Sequence, residues 1–178
     1  MLIIFDGPDN CGKTSIAKLI SKIETIRYFK HQGVTKLNFR DPNVALVSEC
    51  NELYSLDLIK TLNMNVLIDR HYPSDFVYGH IYRNRSEYSL RKVDEFMSNI
   101  VNHLIVICYK DALVPKIDNF VPDADIKVIT DRFKYFYEWS HSRVLLLNTT
   151  DQNIMKQVEA ICGAIEDVKS GEFFKRKV

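Results

Sequence analysis

The chain has 178 residues, the size of one domain, with 46% hydrophobic and 26% charged residues, an ordinary globular make-up. Its 24 Lys and Arg against 23 Asp and Glu leave a net charge of +1. This argues against coating of nucleic acid or of an anionic membrane, though not against a small anion held by a few focused cations.

Four scattered cysteines, Cys11, Cys50, Cys108 and Cys162, form no C-x-x-C pair and carry no zinc-finger spacing, so neither a disulfide framework nor a structural zinc is expected. No apolar run approaches the roughly 18 residues of a membrane span, and the start lacks the basic and long apolar stretches of a signal peptide. The expectation is a soluble cytoplasmic protein.

In chain order, residues 2–5 form a first apolar run leading straight into a glycine turn. Ile16, Leu19, Ile20 and Ile23 then follow helical spacing. Residues 34–39 read as a weaker strand, and Val47, Cys50, Tyr54, Leu58 and Leu62 as a helix stripe packed on the core. A strand at 66–68 precedes two helices, 75–82 and 90–101, around a polar break at 83–86. A strand at 104–108 is followed by an aperiodic stretch, 110–122, with the character of a mobile loop. Ile126, Ile129, Phe133, Phe136 and Tyr137 mark another helix, 144–147 another strand. Ile154, Val158, Ile161, Ile165 and Val168 mark a last helix, capped by Thr150 or Asp151.

The apolar runs are continuous rather than alternating, as in strands covered on both faces. Their alternation with helices predicts an α/β protein: one three-layer α/β/α sandwich over 1–178 with a five-stranded parallel sheet. Ligand sites then gather at the carboxyl ends of the strands.

After the first strand comes Gly7-Pro8-Asp9-Asn10-Cys11-Gly12-Lys13-Thr14, a full match to the phosphate-loop pattern. Gly7 leaves the strand in a conformation a side chain resists, and Gly12 admits close approach of the backbone to phosphate. The loop amides of Asp9, Asn10, Cys11 and Ser15 and the helix N-terminus face the anion. Lys13 supplies charge to the β- and γ-phosphates of ATP, and Thr14 a hydroxyl for Mg²⁺. A glycine turn of this form arises by chance in well under about one chain in a hundred of this length.

The strand at 66–68 ends in Asp69-Arg70-His71 rather than Asp-Glu, a poor fit to a motor ATPase, and no N-K-x-D guanine motif is present. A P-loop NTPase fold used as a small nucleotide or nucleoside kinase remains.

Phe5-Asp6-Gly7-Pro8-Asp9, with Gly12-Lys13-Thr14, then Arg40-Asp41-Pro42, then Asp69-Arg70-His71 with Ser74, Tyr78 and Gly79, together resemble the thymidylate kinase family over residues 5–79. The short stretch from 40 to 69 resembles a compact, viral or phage member. The resemblance implies phosphoryl transfer from Mg·ATP to a deoxynucleoside monophosphate, dTMP first. It implies Asp9 near the acceptor sugar, Arg40 and Arg70 on the acceptor phosphate, and Asp69 orienting Arg70 or a metal-bound water. Ser74 and Tyr78 would line the base pocket, with Phe39 or Tyr54 stacking on the base. It implies small-molecule nucleotides as partners, a homodimer, and a lid near 110–125.

Two departures stand out. Asn10 occupies a position where relatives place Arg, and the lid's cations are only Lys110 and Lys116, leaving Arg132, Arg83 or Arg85 to reach forward. Two other readings stay open. One is a deoxynucleoside kinase such as thymidine kinase, with Asp9, Asp69 or Glu52 as base; the other is a weakly catalytic nucleotide sensor.

Overall fold

The computed structural model describes residues 1–31, 41–83, 85–111, 125–151 and 153–178. Strands β1 (Leu2–Asp6), β2 (Arg27–Lys30), β3 (Val66–Asp69), β4 (His103–Tyr109), β5 (Val144–Asn148) and β6 (Lys175–Lys177) form one sheet in the order β2-β3-β1-β4-β5-β6. Every adjacent pair is parallel.

The sheet thus has six strands, not five. The extra edge strand, Lys-Arg-Lys, has no apolar signature, because an edge position needs little burial and basic side chains deter stray pairing. The second strand falls at Arg27–Lys30, mostly exposed; the segment 34–39 lies outside the described residues, as do Phe39 and Arg40.

Helices α1 (Lys13–Ile23) and α7 (Ile154–Ser170) cover one face of the sheet. The other face carries α2 (Pro42–Thr61), α5 (Glu87–Ser98) and α6 (Ile126–Trp139), with α3 (Tyr72–Ser74), a π-helical turn (Asp75–Gly79) and α4 (His80–Arg83) in one continuous stretch. Alternate strand residues feed two separate cores. Leu2, Ile4, Val66, Ile68, Ile105, Ile107, Val144 and Leu146 point to one. Ile3, Phe5, Leu67, Leu104, Val106, Leu145 and Leu147 point to the other. This two-sided burial makes the central strands read as unbroken apolar runs.

Two further expectations need correcting. Asn153, not Thr150 or Asp151, caps α7, its side chain accepting from the Lys156 amide at 3.1 Å. The stripe of Val47, Cys50, Tyr54, Leu58 and Leu62 faces solvent, while Leu56 and Glu52 on the opposite side of α2 are buried. Helical spacing identifies an apolar face but not which face turns inward, and α2 has two. Among the described residues no helix is long and apolar enough to cross a membrane.

Polar knots lock the layers. Buried Asp94 on α5 accepts from the Tyr72 hydroxyl (2.7 Å), the Ser140 hydroxyl (2.5 Å), the His141 amide (2.6 Å) and the Ser142 hydroxyl (3.1 Å). Buried His103 accepts the Arg143 amide at Nε2 (2.9 Å) and meets the Ile100 carbonyl at Nδ1 (2.5 Å), so one nitrogen accepts and the other donates, as in a neutral ring. Burial pushes its pKa down to about 4, and burial with nearby His31 pushes that of His71 down to about 4.

Both rings are neutral when folded and bind protons more readily when unfolded. Their contribution to stability is therefore full above the ordinary value of 6.5 and is lost as pH falls towards 4. Urea unfolding should show a loss over that window of at most about 3 kcal/mol per histidine. His103→Gln should flatten the slope; an unchanged slope would remove His103 from this account.

Candidate active site

The site grows from the register of neighbouring strands. Phe5 of β1 pairs with Asp69 of β3 and Asp6 with Ile107 of β4, so the loops after β1 and β3 leave the sheet side by side. The chain order reverses around β1, and a crevice forms at such a point, beyond the carboxyl ends of the strands.

Gly7 has φ +136°, and a Cβ there would lie 2.0 Å from the Cys108 carbonyl oxygen, so only glycine fits. Gly12 opens α1 from the left-handed region, φ +75°. It accepts the amides of Ser15 and Ile16, each at 3.1 Å. Thr149, just beyond β5, fixes the loop from the far side by donating to the Cys11 carbonyl at 3.0 Å. Asn10 stands exposed with φ 62°. Buried Lys13 donates to the Pro8 carbonyl, and its pKa is lowered by burial and then by the charge of Arg70.

The beginning of the next loop is held by Asp6. Wholly buried, its carboxylate accepts the Gly7 amide (2.9 Å), the His71 amide (3.2 Å), the Ser74 amide (2.8 Å) and the Ser74 hydroxyl (2.6 Å). Burial pushes the Asp6 carboxyl up, opposed chiefly by Arg70.

Arg70 adopts φ 72°, a left-handed conformation costly for an arginine, and such strain gathers at functional sites. Its guanidinium donates to the Ser74 hydroxyl (2.9 Å) and to the Asp9 carboxylate, and lies 3.7 Å from Asp6. The same group sits 5.5 Å from the centroid of the Tyr78 ring. Asp9 on the phosphate loop and Arg70 after β3 are therefore directly joined.

Asp69 closes the other flank. Its Oδ2 accepts from the Thr14 hydroxyl at 2.7 Å and from Tyr28 at 2.9 Å. The phenol of Tyr28 is raised to about 12 by burial and by that bond. A hydroxyl beside a carboxylate is the hard-oxygen pair that suits Mg²⁺, which takes one or two protein oxygens and completes its shell with phosphate and water. Among the described residues no larger group of His, Cys, Asp and Glu gathers for a metal, so phosphate would have to supply much of that shell.

Gly7, Asp9, Gly12, Lys13, Thr14, Asp69, Arg70, Ser74 and Tyr78 thus come together. Cys11 is buried within the loop and Ser15 is exposed on the first turn of α1. Tyr54 is 68% exposed on the outer side of α2, which separates it from the Arg70–Tyr78 pair. Most of the lid stretch, 112–124, lies outside the described residues. The three arginines expected to reach forward are held elsewhere: Arg132 pairs with Glu87 and lies 4.6 Å from the Phe76 ring centroid, Arg83 pairs with Asp75, and Arg85 is buried.

Sequence reasoning overlooked Asp6, Tyr28 and a buried acid–base cluster behind the site. Arg85 grips Glu52 with two bonds of 3.0 Å and Asp75 with one of 2.7 Å. Burial and Asp75 push Glu52 up to about 9. Asp75 stays below its usual range despite burial, through its hydrogen bond to Glu52 and the charges of Arg85 and Arg83. Ser55 lies 3.2 Å from the His71 Nε2 and donates to the Glu52 main-chain carbonyl at 2.8 Å, while the buried Nδ1 of His71 has no partner among the described residues. Asp6 carried a signal in its place directly before Gly7; the cluster carried none, because its members are distant in sequence.

No family model and no curated protein sequence matches this chain. Solved structures do. Over 94% of this chain and 96% of the other, it is similar to the YorR protein of Bacillus subtilis in complex with phosphorylated GDP (TM-score 0.71, 19% identity). Deoxyadenosine kinase from M. mycoides with bound dATP matches over 93% and 100% (TM-score 0.62, 14% identity). Thymidylate kinase from Ehrlichia chaffeensis matches over 93% and 98% (TM-score 0.54, 17% identity). At these identities the likeness is one of architecture: this chain shares with these proteins an α/β fold with a parallel sheet.

Proposed function

We propose that this chain is a phosphotransferase of the thymidylate kinase type, moving the γ-phosphoryl group of Mg·ATP to a deoxynucleoside monophosphate, with dTMP the first candidate. The observation that carries the reading is the placement of Arg70. Its guanidinium is set in a left-handed turn, seated by Asp6 and Ser74, and joined to Asp9 of the phosphate loop. A planar fork of this kind binds a second phosphate bidentately beside the first.

The roles follow from position. Loop amides and Lys13 bind the donor phosphates, while Arg70, with Arg40, holds the acceptor phosphate. Thr14 and Asp69 would hold Mg²⁺, which offsets charge on the donor phosphates. An acceptor oxygen attacks the γ-phosphorus in line, the bond to the β–γ bridging oxygen breaks, and ADP leaves. The attacking oxygen is already ionised, so positioning and charge carry the rate rather than a strong base. Ser74 and Tyr78 line the acceptor side, and the lid near 110–125 closes against water. Phe39 stacks on the base in this reading.

Acceptance of a nucleoside hydroxyl would instead call for a carboxylate ready to take a proton. Each candidate is engaged: Asp9 with Arg70, Asp69 with Thr14 and Tyr28, and Glu52 with Arg85. That pattern favours the monophosphate.

A coupled assay offering ATP with thymidine and with a panel of monophosphates should show turnover on dTMP and none on thymidine. The converse result identifies a nucleoside kinase, and ATP binding without transfer identifies a sensor. Lys13→Ala should lower kcat by about 100-fold or more, as loss of a preorganised charge does, while leaving the melting temperature near the parent's. Near-normal rates would take Lys13 out of the chemistry. Arg70→Ala should raise the acceptor KM by about 10-fold or more, the worth of a charged hydrogen bond, with the ATP KM almost unchanged; an unaltered acceptor KM overturns the clamp.

A further inference from the structure

Strand β2 is a short edge strand in which Tyr28 alone is half-buried, while Arg27, Phe29 and Lys30 are exposed. Tyr28 pairs in register with Leu67 of β3, and Lys30 with Asp69. Residues two apart on a strand share a face, so Tyr28, Leu67 and Asp69 all point to the side of the sheet that α1 covers. Two residues of strand rise about 6.6 Å, close to the reach of a tyrosine from Cα to hydroxyl. The phenol of Tyr28 therefore spans the distance to the Asp69 carboxylate and donates to its Oδ2 at 2.9 Å.

The same oxygen accepts the Thr14 hydroxyl at 2.7 Å. Among the described residues no side-chain hydrogen bond ends on Oδ1. The Asp69 main chain is held too, its carbonyl accepting the His31 amide at 3.0 Å. The last torsion of an aspartate is soft, so one donor would leave the carboxylate free to turn. Two donors on one oxygen, from α1 and from β2, fix it.

We infer that Tyr28 is a positioning residue that makes Asp69 a one-oxygen ligand and thereby selects Mg²⁺ against Ca²⁺. This rests on the reading of Thr14 and Asp69 as the Mg²⁺ pair, and adds what decides between cations there. A carboxylate oxygen has about two acceptor positions, and on Oδ2 both are filled by hydroxyl protons. Ca²⁺ is large, gathers about 6–8 oxygens and readily takes both oxygens of one carboxylate; here that would break two hydrogen bonds. Mg²⁺ keeps several of its waters and needs a single oxygen, for which Oδ1 remains. Thr14, with its proton directed at Asp69, offers only lone pairs to a cation. A phenylalanine in place of Tyr28 would fill the same space without the donor. If Tyr28 merely anchored the edge strand, its loss would be felt in stability and not in the choice of ion.

Mn²⁺ titrated into the chain saturated with a non-hydrolysable ATP analogue, and followed by its EPR signal, gives a metal constant without turnover. Displacement by Mg²⁺ and by Ca²⁺ gives theirs. Tyr28→Phe should keep a cooperative melting transition and weaken Mg²⁺ by about 10-fold, the lower end of the loss when an outer-shell partner is removed. Ca²⁺ should bind as before or more tightly, so the preference for Mg²⁺ falls by the same factor or more. In an Asp69→Asn background, Tyr28→Phe should leave both constants where they are, because the effect runs through the carboxylate. Unchanged constants in Tyr28→Phe, equal weakening of both ions, or an effect that persists in the Asp69→Asn background overturns this inference and leaves the phosphotransfer reading standing. A parent chain that retains neither the analogue nor Mn²⁺ overturns that reading, and this inference with it.

Discussion

The two loops of the candidate site are joined through one buried carboxylate. Asp6, at the last position of β1, gathers three main-chain amides and a hydroxyl from both the phosphate loop and the turn after β3. A carboxylate taken out of water costs several kcal/mol unless donors and a cation surround it. Here those donors come from two segments some 65 residues apart in sequence, so satisfying the charge and aligning the loops are the same event. The left-handed turn of Arg70 belongs to that arrangement: its own amide bonds to the Phe5 carbonyl at 2.8 Å, and the flanking amides of His71 and Ser74 point at Asp6. Strain at one residue is offset by bonds made by its neighbours.

The consequence is preorganisation. Groups aimed at phosphate act best when they need not move to meet it. Thr149 braces the phosphate loop from β5, Thr14 and Tyr28 brace Asp69, and Asp6 braces Arg70. Each brace comes from a different element, which is why the crevice lies where the strand order reverses and not along any single helix.

What the sequence revealed and what it concealed divide along the range of the interaction. The phosphate loop was legible because its requirements are local: Gly7 cannot carry a Cβ against the Cys108 carbonyl, and Lys13 and Thr14 must follow at once. The four central strands were legible because burial on both faces leaves continuous apolar runs. The edge strands β2 and β6 bury little, so Arg27–Lys30 and Lys175–Lys177 read as surface. The Glu52–Arg85–Asp75 cluster was hidden because each member alone resembles a solvated charge, and only the fold brings Arg85 and Asp75 against Glu52 of α2. On α2 the helical period was correct while its orientation was not, since Leu53, Leu56 and Ile59 inside are matched by Val47, Tyr54 and Leu58 outside.

Among the described residues, the cations at the mouth of the crevice each have a counterpart. Arg70 holds Asp6, Asp9 and Ser74, and Lys13 holds the Pro8 carbonyl. On the proposed function, an arriving phosphate would exchange partners rather than meet bare charge, and its gain would be the difference between two sets of bonds. The bonds from Arg70 to Asp9 and from Lys13 to Pro8 both end on the phosphate loop. Those to Asp6 and Ser74 lie beneath, at the sheet. On the proposed function, such a division would let anion binding be reversible without loosening the fold.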